Sequence, residues 1–331
     1  MKVFKEKGVC VGSADFAIDP LQGSKAASIV VSHAHSDHVN FGNGAEVYCS
    51  RETLALIEAN YKKVRKPHAM KFGEKKRLDN IEFSLHNAGH ILGSSQVLIE
   101  GDQTIAVTSD FKMQDSLVTK RAEQLHCDIL VIEATFGLPG FRFSDREKVY
   151  AEMKEWCERQ IARKKLVVLA GYSVGKAQEL TAFSNHYLKI APIVHEKIYE
   201  NNKVYEAHGV RLGEFLKLNH NLSESSVLIM PPSLCNSHLL QALEFSTKKR
   251  IASAIATGWH YNGHFDKVFC LSDHSSFDQL LGYVKAANPK QVLTMHGYSA
   301  EFARAVKRKL GIPARPLSAD EAMQRCLIDF D

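Results

Sequence analysis

The chain has 331 residues, 45 % hydrophobic and 24 % charged, a composition that suits about two globular domains and excludes disordered, collagen-like and coiled-coil chains. No apolar run approaches the roughly 18–20 residues that span a bilayer, and charges interrupt Met1-Lys2-Val3-Phe4-Lys5, so a cytoplasmic protein without a membrane partner is expected. Lys and Arg number 42 against 37 Asp and Glu, a net charge of +5 that is compatible with an anionic partner.

Seven cysteines, at 10, 49, 127, 157, 235, 270 and 326, are widely spaced and form no Cys-x-x-Cys pair. They read as reduced, mostly buried thiols, which argues against a thiolate zinc site. The basic clusters Lys62–Lys66, Lys75–Arg77, Arg163–Lys165, Lys248–Arg250 and Lys307–Lys309 each read, taken singly, as solvated faces.

In chain order, Ser28–Ser32, Glu46–Cys49, Ile81–His86, Ser95–Glu100, Gln103–Thr108 and Asp128–Glu133 have strand character. Arg51–Asn60 has a helical apolar pattern, and Glu100–Gln103 reads as a hairpin turn. After Glu133 the pattern changes. A long helix opens at Ser144, capped by that serine with Glu147 three residues on, and runs to about Ile161. Strands Leu166–Ala170, Ile193–His195, Val227–Met230 and Ile251–Thr257 then alternate with helices near 174–186, 196–208 and 237–245, as in a compact α/β unit. From Lys267 the order is strand (267–271), helix (277–286), strand (291–295) and helix (299–310).

The chemistry concentrates in His33-Ala34-His35-Ser36-Asp37-His38, just past the apolar run Ile29–Val31. In extended chain His33 and His35 point the same way. Imidazoles with a carboxylate suit zinc, iron or manganese. Four such groups in six residues overfill one metal site and supply half of each of two. Further His, Asp or Glu residues follow β runs downstream: His90, Asp110, Glu133, His274 and His296, with Asp19 upstream. Loops at one sheet edge can bring such residues together. His86, His260 and His264 lie near these motifs and receive no role.

These residues resemble the metallo-β-lactamase superfamily, and within it the β-CASP nucleases. Asp19, His33–His38, His90 and Asp110 match its first four motifs; Glu133, His274 and His296 match the three special to β-CASP. Ala134–Pro139, Gly175–Leu180, Leu271–His274 and His296–Tyr298 look like the DNA ligase-associated exonucleases, also described as mRNA 3′-end processing factor-like. Met230–Cys235 stands where RNA-processing members carry a Gly-Met-rich turn, and His296 stands where Artemis-like members usually lack a histidine.

The resemblance implies an α/β fold, a metallo-β-lactamase αββα sandwich over 1–136 and 267–331 with a β-CASP domain inserted over 137–266. It implies two Zn²⁺ ions, with Mn²⁺ as the substitute: His33, His35 and His90 on the first, Asp37, His38 and His296 on the second, Asp110 bridging. Asp19 would steady the His-rich loop. Asp37, His274 and Glu133 would be catalytic, His274 as general acid supported by Glu133. Lys176, at a helix start, with Tyr172 and Ser233, would line a groove for single-stranded DNA or RNA under the inserted domain. The expected activity is a DNA exonuclease linked to repair, with a DNA ligase or helicase as partner. The alternatives are an RNA 3′-end processing or decay nuclease, a small-molecule metallo-hydrolase (thioesterase or lactonase), and a non-catalytic binding subunit. The last is disfavoured because every ligand is kept. A flavodiiron-type role would put glutamate at His35.

Overall fold

A computed structural model describes residues 3–5, 8–12, 15–21, 23–61, 63–218, 222–261 and 263–318. Lys62 and Cys326 lie outside them. Two compact units emerge, taken over their described residues: Met1–Met113, Arg121–Arg142 and His274–Asp331 in the first, Gln114–Lys120 and Phe143–Asp273 in the second.

In the first unit, β1 (Val3–Lys5), β2 (Val9–Val11), β3 (Phe16–Ile18), β4 (Ser28–Val30), β5 (Glu46–Ser50) and β6 (Pro67–Met70) form a sheet in sequence order; α1 (Arg51–Asn60) packs against β5 and β6. The strands from β3 to β6 run parallel. β7 (Lys75–Leu78), β8 (Ile81–Asn87), β9 (Ser95–Glu100), β10 (Ile105–Val107) and β11 (Ile129–Glu133) begin a second sheet. Phe16, Val30 and Tyr48 of the first sheet share one apolar core with Phe83, Val97, Ile105 and Val131 of the second. Alternate residues of β10 and β11 face this core, and those between them (Ala106, Leu130, Ile132) face a second apolar core, which is why these strands are apolar throughout save Glu133.

The second unit holds α2 (Arg146–Ala162), β12 (Leu166–Ala170), α3 (Lys176–Phe183), β13 (Ile193–Val194), α4 (Glu196–Ala207), β14 (Leu216–Lys217), β15 (Val227–Met230), α5 (Ser237–Thr247), β16 (Ile251–Thr257) and β17 (Lys267–Cys270). Its sheet is all parallel, in the order β14-β13-β15-β12-β16-β17. β12 is buried at every residue, as a central parallel strand with both faces covered must be. The chain then returns to the first unit with α6 (Phe277–Ala287), β18 (Gln291–Met295), α7 (Ser299–Leu310) and β19 (Ala314–Pro316), completing the order β19-β18-β11-β10-β9-β8-β7. Phe277, Leu280 and Val284 of α6 and Phe302 and Val306 of α7 share a core with Leu130 and Ile132 of β11. Ser276 and Gln279 cap α6 reciprocally, and Gly311 ends α7 in the left-handed conformation.

Several sequence expectations shift. The strand at 267, expected to rejoin the first domain, pairs with β16 in the second unit's sheet, so that unit runs to Asp273. At its entry the first unit extends to Arg142, because Phe141 packs on Phe136 and Tyr298. Helix α2 starts after Asp145 with no side-chain cap; Glu147 takes the Tyr187 hydroxyl at 2.6 Å instead of reaching back to Ser144. The helix expected over 174–186 is α3 followed by a π-helical turn, Ser184–Leu188, where Asn185 bonds the carbonyls of Thr181 and Glu214. The described cysteines form no disulfide; Cys10, Cys49, Cys157 and Cys235 are buried, while Cys270 is exposed.

The second unit also buries ions. Glu179 accepts from Arg146 through both Nε (2.8 Å) and Nη2 (2.7 Å), from Lys176 Nζ (2.9 Å) and from the Tyr150 hydroxyl. Asp273 accepts from Lys176 at 2.8 Å and Arg146 at 3.2 Å. Removing one member of such a cluster strands the others without water, at about 3–5 kcal/mol. Glu179→Ala is therefore expected to destabilise this unit by about that amount. Both tryptophans, Trp156 and Trp259, lie in it, so fluorescence during urea unfolding reads this unit. Glu155→Ala, which breaks an exposed pair with Arg159, should change stability by under about 1 kcal/mol.

Candidate metal centre

The first unit gathers its histidines where strands end. β4 leads directly into His33, β8 to His90, β10 to Asp110, β11 ends on Glu133, and β18 precedes His296. Three residues at such ends adopt left-handed backbone: Asp19 (φ 47°), Ser109 (φ 47°) and His296 (φ 59°). Non-glycine residues held there cost energy and cluster at functional sites.

Close packing holds the loops. The Ser50 hydroxyl caps α1 at Thr53 and donates to the carbonyl of Gly93 at 2.7 Å. Gly93 has φ +73°, and a Cβ there would stand 2.5 Å from the Ser50 hydroxyl, so only glycine lets the His90 loop seat on α1. Gly297 is comparable: a Cβ would meet the carbonyl oxygen of Ala134 at 2.5 Å.

The nitrogens converge. His33 Nε2 and His90 Nε2 each lie 3.1 Å from His35 Nδ1. Asp110 Oδ2 lies 3.6 Å from His33 Nε2 and 3.9 Å from His90 Nε2. Burial, then the neighbouring His38, His35 and His90, pushes the His33 imidazole well below its ordinary pKa. Neutral imidazole is the ligand form, and the Ser32 hydroxyl, 2.9 Å from His33 Nδ1, orients the ring. Ligands about 2.0–2.2 Å from a tetrahedral zinc stand about 3.3–3.6 Å from one another, so this donor set fits such an ion.

The other expected ligands are more loosely placed. His38 Nε2 lies 3.5 Å from Asp110 Oδ2 and 3.6 Å from the carboxylate of exposed Asp37. The His296 ring centre is 6.0 Å from that of His38. His33, His35, His90 and Asp110 form one tight group, all ligand atoms within 4.8 Å; Asp110, Glu133 and His274 form another. Asp37, His38 and His296 are not among the tight groups of the described residues.

Asp19 sits behind the site. Its Oδ1 accepts from the Ser32 amide at 2.8 Å and its Oδ2 from the Ser109 hydroxyl at 2.7 Å. Oδ2 also lies 3.0 Å from His38 Nδ1, an ion-pair contact off the hydrogen-bond line. Burial alone would lower the His38 pKa; Asp19 and Asp110 outweigh it and raise it well above the ordinary value. Burial would likewise raise Asp110, but His38, His274 and His33 hold it well below the carboxylate range. Ser32 and Ser109 were not expected from sequence. Serines beside motif residues are too common to stand out.

Glu133 is fully buried. It accepts from the Phe111 amide (3.4 Å) and the Thr135 amide (3.0 Å) and meets His274 Nδ1 at 3.0 Å. The His274 ring packs beside His90, centres 4.6 Å apart.

In the second unit, Tyr172 is exposed on the loop after β12, and Ser233 on the 3-10 turn Pro232–Leu234 after β15. Lys176 differs from expectation. It is 2 % exposed, with Nζ committed to Glu179 and Asp273, so it cannot offer that charge to a phosphate.

No family model matches the chain. Over 306 residues it is 32 % identical to a "Probable DNA ligase" of Opitutus terrae, covering 89 % of this chain and 29 % of that protein. It is 28 % identical to an "RNase J-like protein" of Methanocaldococcus jannaschii (63 % of this chain, 56 % of that one) and 23 % to that organism's "Probable RNase MJ4" (81 % of each). The chain belongs to the β-CASP branch of the metallo-β-lactamase superfamily. It spans under a third of the first of these relatives and about half of the second. A solved Enterococcus faecalis protein of unknown function shares the fold, with TM-score 0.62 at 11 % identity, over 89 % of this chain and 80 % of that one. Among the described residues no helix is long and apolar enough to cross a membrane.

The donor geometry predicts tight metal binding. Chelator-stripped protein titrated with Zn²⁺ in a calorimeter should bind stoichiometrically. His90→Ala, which removes one donor of the tight group, should weaken the first site by at least about tenfold.

Proposed function

We propose that this chain is a metal-dependent nuclease, hydrolysing phosphodiester bonds with two zinc ions, and acting as a DNA exonuclease in repair. The observation that carries this reading is the single buried carboxylate, Asp110, shared between the His33/His35/His90 group and the Glu133/His274 group. In this reading a metal site would lie beside an imidazole available for proton transfer. His33, His35 and His90 would hold one ion and Asp37, His38 and His296 the other, with Asp110 between; Mn²⁺ suits the same donors. When bound, the ions supply Lewis-acid charge to a phosphoryl oxygen and acidify a water.

The protein's own groups do the rest. Asp19, through Ser32 and His38, holds the His-rich loop in place. His274 presents Nδ1 to the Glu133 carboxylate, which leaves Nε2 to donate a proton to the leaving oxygen. Glu133 is saturated by two amides and His274, which suits orienting the ring better than binding metal. In this reading the first unit is the αββα sandwich and residues 143–273 are the inserted domain; exposed Tyr172 and Ser233 contact the strand. The relative named as a DNA ligase supports a repair setting with a ligase as partner. A helicase as partner and a cytoplasmic location belong to the same proposal. The relatives named as RNases support RNA as the second substrate.

End-labelled single strands of DNA and RNA of one sequence test this. Stepwise loss of DNA is expected, abolished in Asp110→Ala. Cleavage of RNA alone would move the protein to RNA processing. Thioester or lactone turnover without strand cleavage would replace the nuclease reading. His274→Gln should lower kcat by about 10²–10⁴ with bound metal and KM little changed.

A further inference from the structure

The positive charge of this chain is localised. Residues 63–78 contain seven of its 42 Lys and Arg (Lys63, Arg65, Lys66, Lys71, Lys75, Lys76 and Arg77) and one of its 37 Asp and Glu, Glu74. Without this segment the chain holds 35 basic and 36 acidic residues, so its +5 becomes −1. One short stretch accounts for the whole excess.

The fold puts that stretch on one flank of the first unit. β6 is the last strand of the first sheet and β7 the last of the second, and a tight turn joins them. The Gly73 amide donates to the Leu85 carbonyl at 2.8 Å, pinning the turn to β8. Lys63, Arg65, Lys66, Lys71 and Arg77 are exposed, and Lys76 is half-buried. Lys75 is neutralised by Glu82 and Glu100; the other six make no side-chain ion pair among the described residues. Phe72, on the turn, is 41 % exposed among them. Because β4, β5 and β6 are parallel, the Lys71–Glu74 turn lies at the sheet end where β4 delivers His33.

Guarding a sheet edge against aggregation takes few charges. The other edge strands, β1, β14, β17 and β19, carry one basic residue each. This flank carries far more, over strands about 13 Å long.

We propose that the β6–β7 flank is an anchoring surface for the phosphodiester backbone of a single-stranded nucleic acid, gripping the strand beyond the bond that is cut, with Phe72 offering a face on which a base stacks. This rests on the nuclease reading for its substrate class. Backbone contacts carry no sequence information, so the flank adds affinity and processivity and leaves the chemical step alone.

The test uses the full-length chain carrying K63Q/R65Q/K66Q, K71Q/K76Q/R77Q, or all six changes, with K154Q/K197Q/K203Q as control. Binding of fluorescent 30-nucleotide DNA and RNA strands is followed by anisotropy across a salt series, beside hydrolysis of bis(p-nitrophenyl) phosphate. Each lost contact should flatten the log K against log salt slope by about 0.7. The sixfold variant should lose about 2–4 in slope, the control nothing, and small-ester hydrolysis should match wild type. Unchanged slopes in all variants would overturn the proposal. If the sixfold variant fails to fold, the two triple variants and protection of Lys63, Lys66, Lys71 and Lys76 from acetylation by the bound strand give the same answer; no protection overturns it. Flank-dependent binding in a protein that cuts no phosphodiester would sink the nuclease reading and leave the flank standing.

Discussion

Everything at the metal centre depends on one carboxylate placed among buried imidazoles. Asp110 has side-chain oxygen within 3.6 Å of both His33 and His38, and each partner is almost wholly removed from water. Buried imidazoles beside one another cannot all be charged, since like charges repel and desolvation opposes ionisation. Hence His33 is held neutral, while Asp110 stays ionised. Neutral nitrogen donors around an anionic oxygen are what a divalent cation needs. The cost appears in the backbone, where Asp19, Ser109 and His296 are held left-handed so that strand ends can deliver their side chains.

The protein treats charge in two opposite ways. Inside the second unit Arg146, Lys176, Glu179 and Asp273 are balanced, two against two, and hydrogen-bonded to one another. Such a cluster contributes little net stability compared with an apolar core, but it is costly to break. On the β6–β7 flank of the first unit, a net positive charge is left facing solvent. Uncompensated surface charge does nothing for the fold. It acts on molecules that approach from outside.

Much of this was legible in the sequence. Arg51–Asn60, Ser95–Glu100, Leu166–Ala170, Val227–Met230, Ile251–Thr257, Gln291–Met295 and Ser299–Leu310 emerge with their expected bounds, because each has a strong apolar pattern or a cap. The His33–Asp110 group was readable because ligand residue types recur just past β runs. The edge strands β1, β6, β7 and β19 escaped, being short and rich in Lys, Arg or Pro. Lys176 misled for a different reason: the residue type suggests a phosphate ligand, and although Glu179 stands one turn on in the same helix, only tertiary structure reveals Asp273 beside it. The strand at 267 likewise shows its character locally, but which sheet it joins is a long-range matter settled by pairing with β16.

The central claim is that this centre hydrolyses phosphodiesters only when metal fills it. The direct measurement is strand cleavage by chelator-stripped protein to which Zn²⁺ is returned in measured increments, with bound metal counted in the same samples. The account predicts no cleavage in the stripped protein, and activity that returns in step with metal and levels off at two ions per chain. Full cleavage without metal, or two bound ions with no cleavage of DNA or RNA, would contradict it.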